Sequence, residues 1–177
     1  MSTNGFIHVY YGDGKGKTTA ALGLAIRAAG CGKKVVIVQF LKNWVCGEHN
    51  ILARLPNITL LRCKPSSGKF VHEMSEEEKQ KTKASHDEGL KNALALVEKG
   101  QCDVLILDEA IDAHRLGVLC AEMFEELINS KPKSLELVIT GHDPDAGLIE
   151  RADYVTQMVK HKHPYDEGVN ARQGIEF

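Results

Sequence analysis

Short, nearly unbroken apolar runs alternate along this chain with longer stretches whose apolar residues return every three or four positions. The runs predict buried strands, and the stretches predict helices with one apolar face. Residues 6–11 form the first run. A helix is expected over residues 17–29, with Ala21, Leu22, Ala25 and Ala28 on one side and a stop at Gly30 and Gly32. Residues 35–40 predict a second strand and residues 58–63 a third, which leads into a loop through Pro65, Ser66, Ser67 and Gly68. Ser75 and Glu78 have capping-box spacing, in which hydroxyl and carboxylate satisfy free amides at a helix start. The long helix behind them carries Leu90, Ala93, Leu94 and Val97 at core spacing and ends at Gly100. Residues 104–107 predict a strand closed by Asp108 and Glu109, residues 121–129 a helix, and residues 135–140 another strand. Asp143 and Pro144 predict the N-cap and first position of a short helix reaching Ala152. Residues 154–159 predict a last strand, and Pro164, Gly168 and Gly174 then punctuate an irregular tail over residues 160–177.

Strands alternating with helices pair in parallel and carry helices on both faces. With 177 residues, the chain suits a single α/β domain of five or six strands spanning 1–177. The formal net charge of -2 supplies no basic stripe, so nucleic acid is not an expected partner. No apolar run approaches bilayer length and residues 1–5 lack a signal-peptide pattern, so no membrane association is expected. The five cysteines are irregularly spaced with no Cys-x-x-Cys pair, which predicts reduced, mostly buried thiols and a cytoplasmic location.

The chemistry concentrates between the first strand and the first helix, where Gly12, Asp13, Gly14, Lys15, Gly16, Lys17, Thr18 and Thr19 follow Tyr11. A phosphate-binding P-loop requires this setting. Glycines let backbone amides turn inward around phosphates, the helix start adds positive potential, Lys17 reaches the terminal phosphates and Thr18 ligates magnesium. The common pattern begins with glycine where this chain has Tyr11, and Gly12 and Gly14 supply flexibility one and three residues later. Asp108 and Glu109 close a buried strand, the usual place for the second magnesium ligand beside Thr18. Two roles stay open for Glu109: activating a water, as in an ATP hydrolase, or holding the metal.

Several stretches resemble the ATP:corrinoid adenosyltransferases, in order and over nearly the whole chain. They are Gly12-Asp-Gly-Lys-Gly-Lys-Thr-Thr-Ala-Ala21, Val38-Gln-Phe-Leu-Lys42 with Trp44 and Gly47-Glu48, Leu107-Asp-Glu109, Val138-Ile-Thr-Gly141, and the tail from Val159 through His161, His163 and Gly168 to Phe177. The resemblance implies a RecA-like, P-loop NTPase-like parallel sheet, a homodimer and a flavoprotein reductant. It also implies transfer of the 5′-deoxyadenosyl group of ATP to Co(I) of a corrinoid, with triphosphate released. Lys17, Thr18 and Thr19 would then touch phosphate. Arg27 corresponds to a family arginine near the nucleotide, with a plain solvated helix residue as the other reading.

Better-known members carry Gly-Phe-Thr-Trp-Glu-Thr-Gln before the long helix, where this chain has Gly68-Lys-Phe70-Val-His72-Glu-Met74. The family places these aromatics near the corrin, where they help remove the lower axial ligand. Phe70 is kept, while His72 stands where tryptophan would be and either packs on the corrin, approaches the cobalt as an imidazole ligand, or is an ordinary loop histidine. Few residues precede the first strand, so the N-terminal helix of longer members is expected to be missing. His161 and His163 lack a third ligand at zinc spacing. Lys79, Lys81 and Lys83 with Glu76–Glu78 are expected to form a solvated helix face. Rival functions are a RecA-like ATPase, a non-catalytic corrinoid or nucleotide carrier, and, more distantly, a nucleoside kinase.

Overall fold

The computed structural model describes residues 4–42, 44–65 and 67–177. Six strands form one sheet: β1 (Ile7–Tyr11), β2 (Val35–Gln39), β3 (Ile58–Arg62), β4 (Val104–Asp108), β5 (Glu136–Gly141) and β6 (Tyr154–Gln157). Their order is β3-β2-β4-β5-β1-β6, and every pairing is parallel. The α/β class and parallel sheet expected from the sequence are thus present. In a parallel sheet all C-terminal strand ends share one edge, which gathers the P-loop, Asp108 and the loops after β2 and β3.

The central strands bury both faces because their residues alternate between two cores, while β6 at the edge is exposed. Val35, Ile37, Val104, Ile106 and Val138 pack with Ala21, Leu22 and Ala25 of α1 (Lys17–Gly30) and with Leu52 of α2 (Gly47–Leu52). Val36, Val38, Leu105, Leu107, Leu137 and Ile139 face the other way. They meet α3 (Glu76–Glu98), α4 (Ala110–Arg115), α5 (Ala121–Ser130) and α6 (Ala146–Arg151) through Leu90, Ala113, Phe124 and Leu148. Burying such aliphatic side chains contributes about 1.5–3 kcal/mol each, which fixes the sheet rigidly under its loop edge.

Ser75 caps α3 as expected, accepting from the Glu78 amide at 3.2 Å, and Lys79–Glu76 and Lys81–Glu77 ion pairs line the exposed face of that helix. The cap of α6 is displaced from the expectation. Asp145, rather than Asp143, accepts the Leu148 amide at 2.8 Å, so Asp143 and Pro144 lie in the preceding loop. Two short helices, α2 and α4, were not expected, because six residues are too few to show a helical period. The tail holds one 3-10 turn, Pro164–Glu167, and is otherwise irregular. Ser66 and Met1–Thr3 lie outside the described residues. Cys46, Cys63 and Cys102 are buried free thiols, Cys120 is half-buried and Cys31 is exposed.

Candidate active site

The P-loop is a tight coil because its glycines leave no alternative. Gly12 and Gly16 adopt φ of 112° and 119°, a region that side chains avoid. A Cβ on Gly12 would collide with the Met158 carbonyl oxygen, and one on Gly14 would lie 2.7 Å from it. That approach is used: Gly14 donates its amide to the Met158 carbonyl at 2.7 Å, and Gly12 donates to the His142 carbonyl at 3.0 Å. The loop is therefore clamped between the ends of β5 and β6. Lys17 is buried inside it, its Nζ donating to the Gly12 and Gly14 carbonyls at 2.7 and 3.0 Å.

Thr18, in the first turn of α1, donates its hydroxyl to Asp108 Oδ1 at 2.8 Å. Asp108 is fully buried. A carboxylate out of water must be paired and hydrogen-bonded, and here every oxygen is. Thr140 also donates to Oδ1, at 2.9 Å, while Lys42 Nζ lies 2.9 Å from Oδ2 and Gln39 Nε2 donates to Oδ2 at 3.3 Å. Burial alone would lower the Lys42 pKa, yet Asp108 and then Glu48, 3.7 Å away, hold it above its ordinary value. Lys42 reaches this position because Leu41 turns the chain at φ 58°. His86, buried beneath, accepts the Leu41 amide at 3.4 Å and bonds the Val118 carbonyl at 2.7 Å.

Glu109 starts α4 at φ 63°, and its amide donates to the Thr140 hydroxyl at 2.9 Å. Burial first, then the neighbouring Asp108 and Asp112, raise its carboxyl pKa to about 7. Burial pulls Asp112 the same way, but His142 donates to it from both ring and amide, at 3.0 and 2.9 Å, and Arg115 adds a third bond, so it falls to about 2. That hydrogen bond to Asp112 raises the His142 pKa in turn. Side-chain ligand atoms of Glu109, Asp112 and His142 lie within 4.8 Å of one another.

The structure brings Thr18 and Asp108 together at the start of α1, with Lys17 buried in the loop, while the ligand atoms of Glu109 are grouped with those of Asp112 and His142. Thr19 is exposed one position further along the helix. Asp13 and Lys15 face the tail instead: Asp13 Oδ1 accepts the Lys160 amide at 3.0 Å, and Lys15 Nζ reaches the Ile175 carbonyl and Glu176 at 3.0 and 2.9 Å. Arg27 stands in the last turn of α1, about 15 Å along the axis from Lys17, and is not brought beside the loop. Phe70 and His72 follow β3, four strand spacings from β1 or about 19 Å. Their rings stack with centroids 5.7 Å apart, and Phe70 is 65 % exposed. The buried Val71 and Met74 anchor the loop that presents them.

Sequence reasoning gave Gln39, Lys42, His49 and Thr140 no role, although a signal was present. Gln39 and Thr140 are polar residues ending apolar runs, and the register pairs Gln39 with Asp108. Tyr10 pairs with Thr140 on the other side of β5. Polar ends of adjacent parallel strands, in register, form one row on one face of the sheet.

The model of the family ATP:corrinoid adenosyltransferase BtuR/CobO/CobP matches residues 3–177. A corrinoid adenosyltransferase of Escherichia coli (strain K12) is 33% identical over 174 residues, which cover 98% of this chain and 86% of that protein. One from Pseudomonas aeruginosa is 32% identical over 98% of this chain and 84% of its own length. The corrinoid adenosyltransferase CobA of Salmonella typhimurium is 32% identical over 98% of this chain and 86% of its own. With a match over almost every residue and a clamped P-loop facing a buried aspartate, this chain belongs to the ATP:corrinoid adenosyltransferase family.

Proposed function

We propose that this chain, as a single domain over residues 1–177, transfers the 5′-deoxyadenosyl group of ATP to Co(I) of a corrinoid and releases triphosphate. The observation that carries the reading is the buried, clamped loop around Lys17 in a chain matched to this family almost end to end. Co(I) is itself a strong nucleophile. Its electron pair forms the Co–C5′ bond as the C5′–O bond breaks, and those bonding electrons leave with triphosphate. The protein has no nucleophile to build. Its tasks are to orient C5′ and to stabilise the departing charge.

Lys17, moving from the Gly12 and Gly14 carbonyls to phosphate, supplies one positive charge, and the amides of Gly12–Thr19 supply dipoles. The hydroxyl of Thr18 and the carboxylate of Asp108 are hard oxygen donors paired at the start of α1, the kind of donor magnesium prefers, and Glu109, next in the chain, would supply a further carboxylate. Magnesium bound there would neutralise triphosphate charge. Phe70 and His72 face the corrin, and their exposure leaves an apolar surface for the macrocycle. The tail, tied to Asp13 and Lys15, closes the rim. Among the described residues no helix is long and apolar enough to cross a membrane. We take the protein to be a cytoplasmic homodimer served by a flavoprotein reductant.

The raised Glu109 carboxyl has the pKa of a general base, which is the one feature favouring ATP hydrolysis. Product identity decides. Protein, ATP, magnesium and chemically reduced cobalamin should yield a cobalt–carbon spectrum with stoichiometric triphosphate. ADP and phosphate without that spectrum would overturn the transferase reading.

A further inference from the structure

Behind Asp108 lies a hydrogen-bonded chain that reaches into the segment after β2. Its directions are fixed by its first member. The Cys46 amide donates to His49 Nδ1 at 3.1 Å. A backbone N–H can only donate, so Nδ1 bears the lone pair and the ring proton sits on Nε2. His49 Nε2 therefore donates to Gln39 Oε1, 2.8 Å away. This bond sets which end of the Gln39 amide is oxygen, and its NH₂ is left aimed at Asp108 Oδ2 at 3.3 Å. His49, Gln39 and Asp108 are all buried, so water offers none of them another partner. Burial is the first cause that keeps His49 below its ordinary pKa, and Arg62 adds to it, which agrees with the neutral tautomer.

We infer that His49 is a positioning residue: acting through Gln39, it orients the Asp108 carboxylate so that Oδ1 is presented beside the Thr18 hydroxyl for the metal of the nucleotide site. Gln39 and Lys42 together hold Oδ2 turned away from α1, while Thr18 and Thr140 hold Oδ1. Carboxylate rotation would exchange the two oxygens, and a chain anchored on a backbone amide resists that exchange. The segment containing Trp44, Cys46 and Glu48 is thereby mechanically joined to the nucleotide side, since α2 carries His49. Cys46, Glu48 and His49 also lie close enough together to suggest a metal cluster, but both His49 nitrogens are already engaged, which leaves no ligand to donate.

This inference rests on Asp108 being the magnesium carboxylate. The test uses two substitutions that divide the histidine's two bonds. In His49→Asn the amide oxygen takes the place of Nδ1, keeping the Cys46 acceptor but falling short of Gln39. In His49→Gln the amide nitrogen takes the place of Nε2, keeping the donor to Gln39. Binding of a non-hydrolysable ATP analogue to the full chain is measured by calorimetry with and without magnesium, beside thermal melts. We expect His49→Asn to weaken magnesium-dependent binding about tenfold, as loss of an outer partner of a metal ligand does, and to leave metal-free binding unchanged. His49→Gln should stay within about twofold of the parent chain. Equal behaviour of the two variants overturns the positioning role, because the histidine then only caps α2. A parent chain that binds the analogue equally with and without magnesium overturns the metal assignment itself, and the inference with it.

Discussion

At the β1 end of the sheet edge, the groups assigned to triphosphate are buried and cross-braced; at the β3 end, the aromatics assigned to the corrin stand in solvent. Lys17 and Asp108 are buried, and Asp108 has four hydrogen-bonding or ionic partners. Phe70 has a stacked neighbour, His72, and no burial to hold either ring. Under the proposed function, the contrast follows from what each end would bind. Charge that develops in a transition state is best met by dipoles already fixed in place, so that nothing reorganises during the reaction. A flat macrocycle offers mainly apolar area, and the binding step itself can desolvate and order the rings. The two ends are therefore expected to fail differently when altered.

Lys17→Ala should strike the braced end hardest. Removing the buried ammonium leaves the Gly12 and Gly14 carbonyls without a donor and the triphosphate without its charge partner. Adenosylation of Co(I) cobalamin should fall by about a thousandfold or more, in line with losses of preorganised charge elsewhere. Retention of a tenth of the rate would show that the loop is not where triphosphate leaves. Gly12→Ala comes next. It forces a side chain into φ 112° and into the Met158 carbonyl, strain of about 1–3 kcal/mol. We expect roughly a hundredfold weaker ATP binding by calorimetry, since the cradle must open to accept it.

Phe70→Ala probes the open end and should separate the two. Reactions begun from Co(II), which require the lower ligand to be displaced, are expected to slow about tenfold more than reactions begun from Co(I). Equal losses would remove the special role of Phe70. An effect on stability rather than rate belongs to the braced end again. The carboxyl of Glu109 has its pKa raised from 4.5 to about 7. A carboxyl raised in this way binds more protons folded than unfolded, so its contribution to stability is complete below pH 4.5 and is lost as pH rises through 7. Ligand-free protein should lose about 3 kcal/mol across that window, or roughly 6–12 °C in Tm. Glu109→Gln should flatten the slope, and magnesium with ATP should reverse it.

How much of this could be read from the sequence differs between the ends in the same way. The P-loop is local: eight consecutive residues between a strand and a helix specify it, and the sheet places them as expected. The carboxylates Asp108 and Glu109 were legible as a strand end. The bracing was not, because Gln39, Lys42 and Thr140 meet Asp108 only through strand register and through the turn at Leu41. Lys42 in particular points inward because Leu41 takes a left-handed conformation held by His86, a contact across 45 residues. Periodicity carries no such information. Arg27 illustrates the converse: helix position alone carries it to the far end of α1, whatever its motif suggests.

Lys15 gives the finest cut between bracing and binding. Its place in the P-loop motif suggests phosphate contact, yet its ammonium reaches the Ile175 carbonyl and Glu176, at 3.0 and 2.9 Å, and Arg172 shares that carboxylate. If Lys15 serves the tail, Lys15→Ala should raise the KM for ATP by about twofold to fivefold with kcat little changed, since an exposed ion pair contributes weakly. Added salt should produce the same shift in the parent chain, because exposed charges are screened. Adding Glu176→Ala to Lys15→Ala should then cost less than the two single changes summed, as the two residues share one contact while Glu176 also holds Arg172. If Lys15 instead holds phosphate, its removal should cost tenfold or more in kcat/KM. Glu176→Ala alone would then leave the rate unchanged or raise it, by freeing the ammonium. The sign of that single substitution decides whether the exposed rim of the loop belongs to the braced end or to the nucleotide itself.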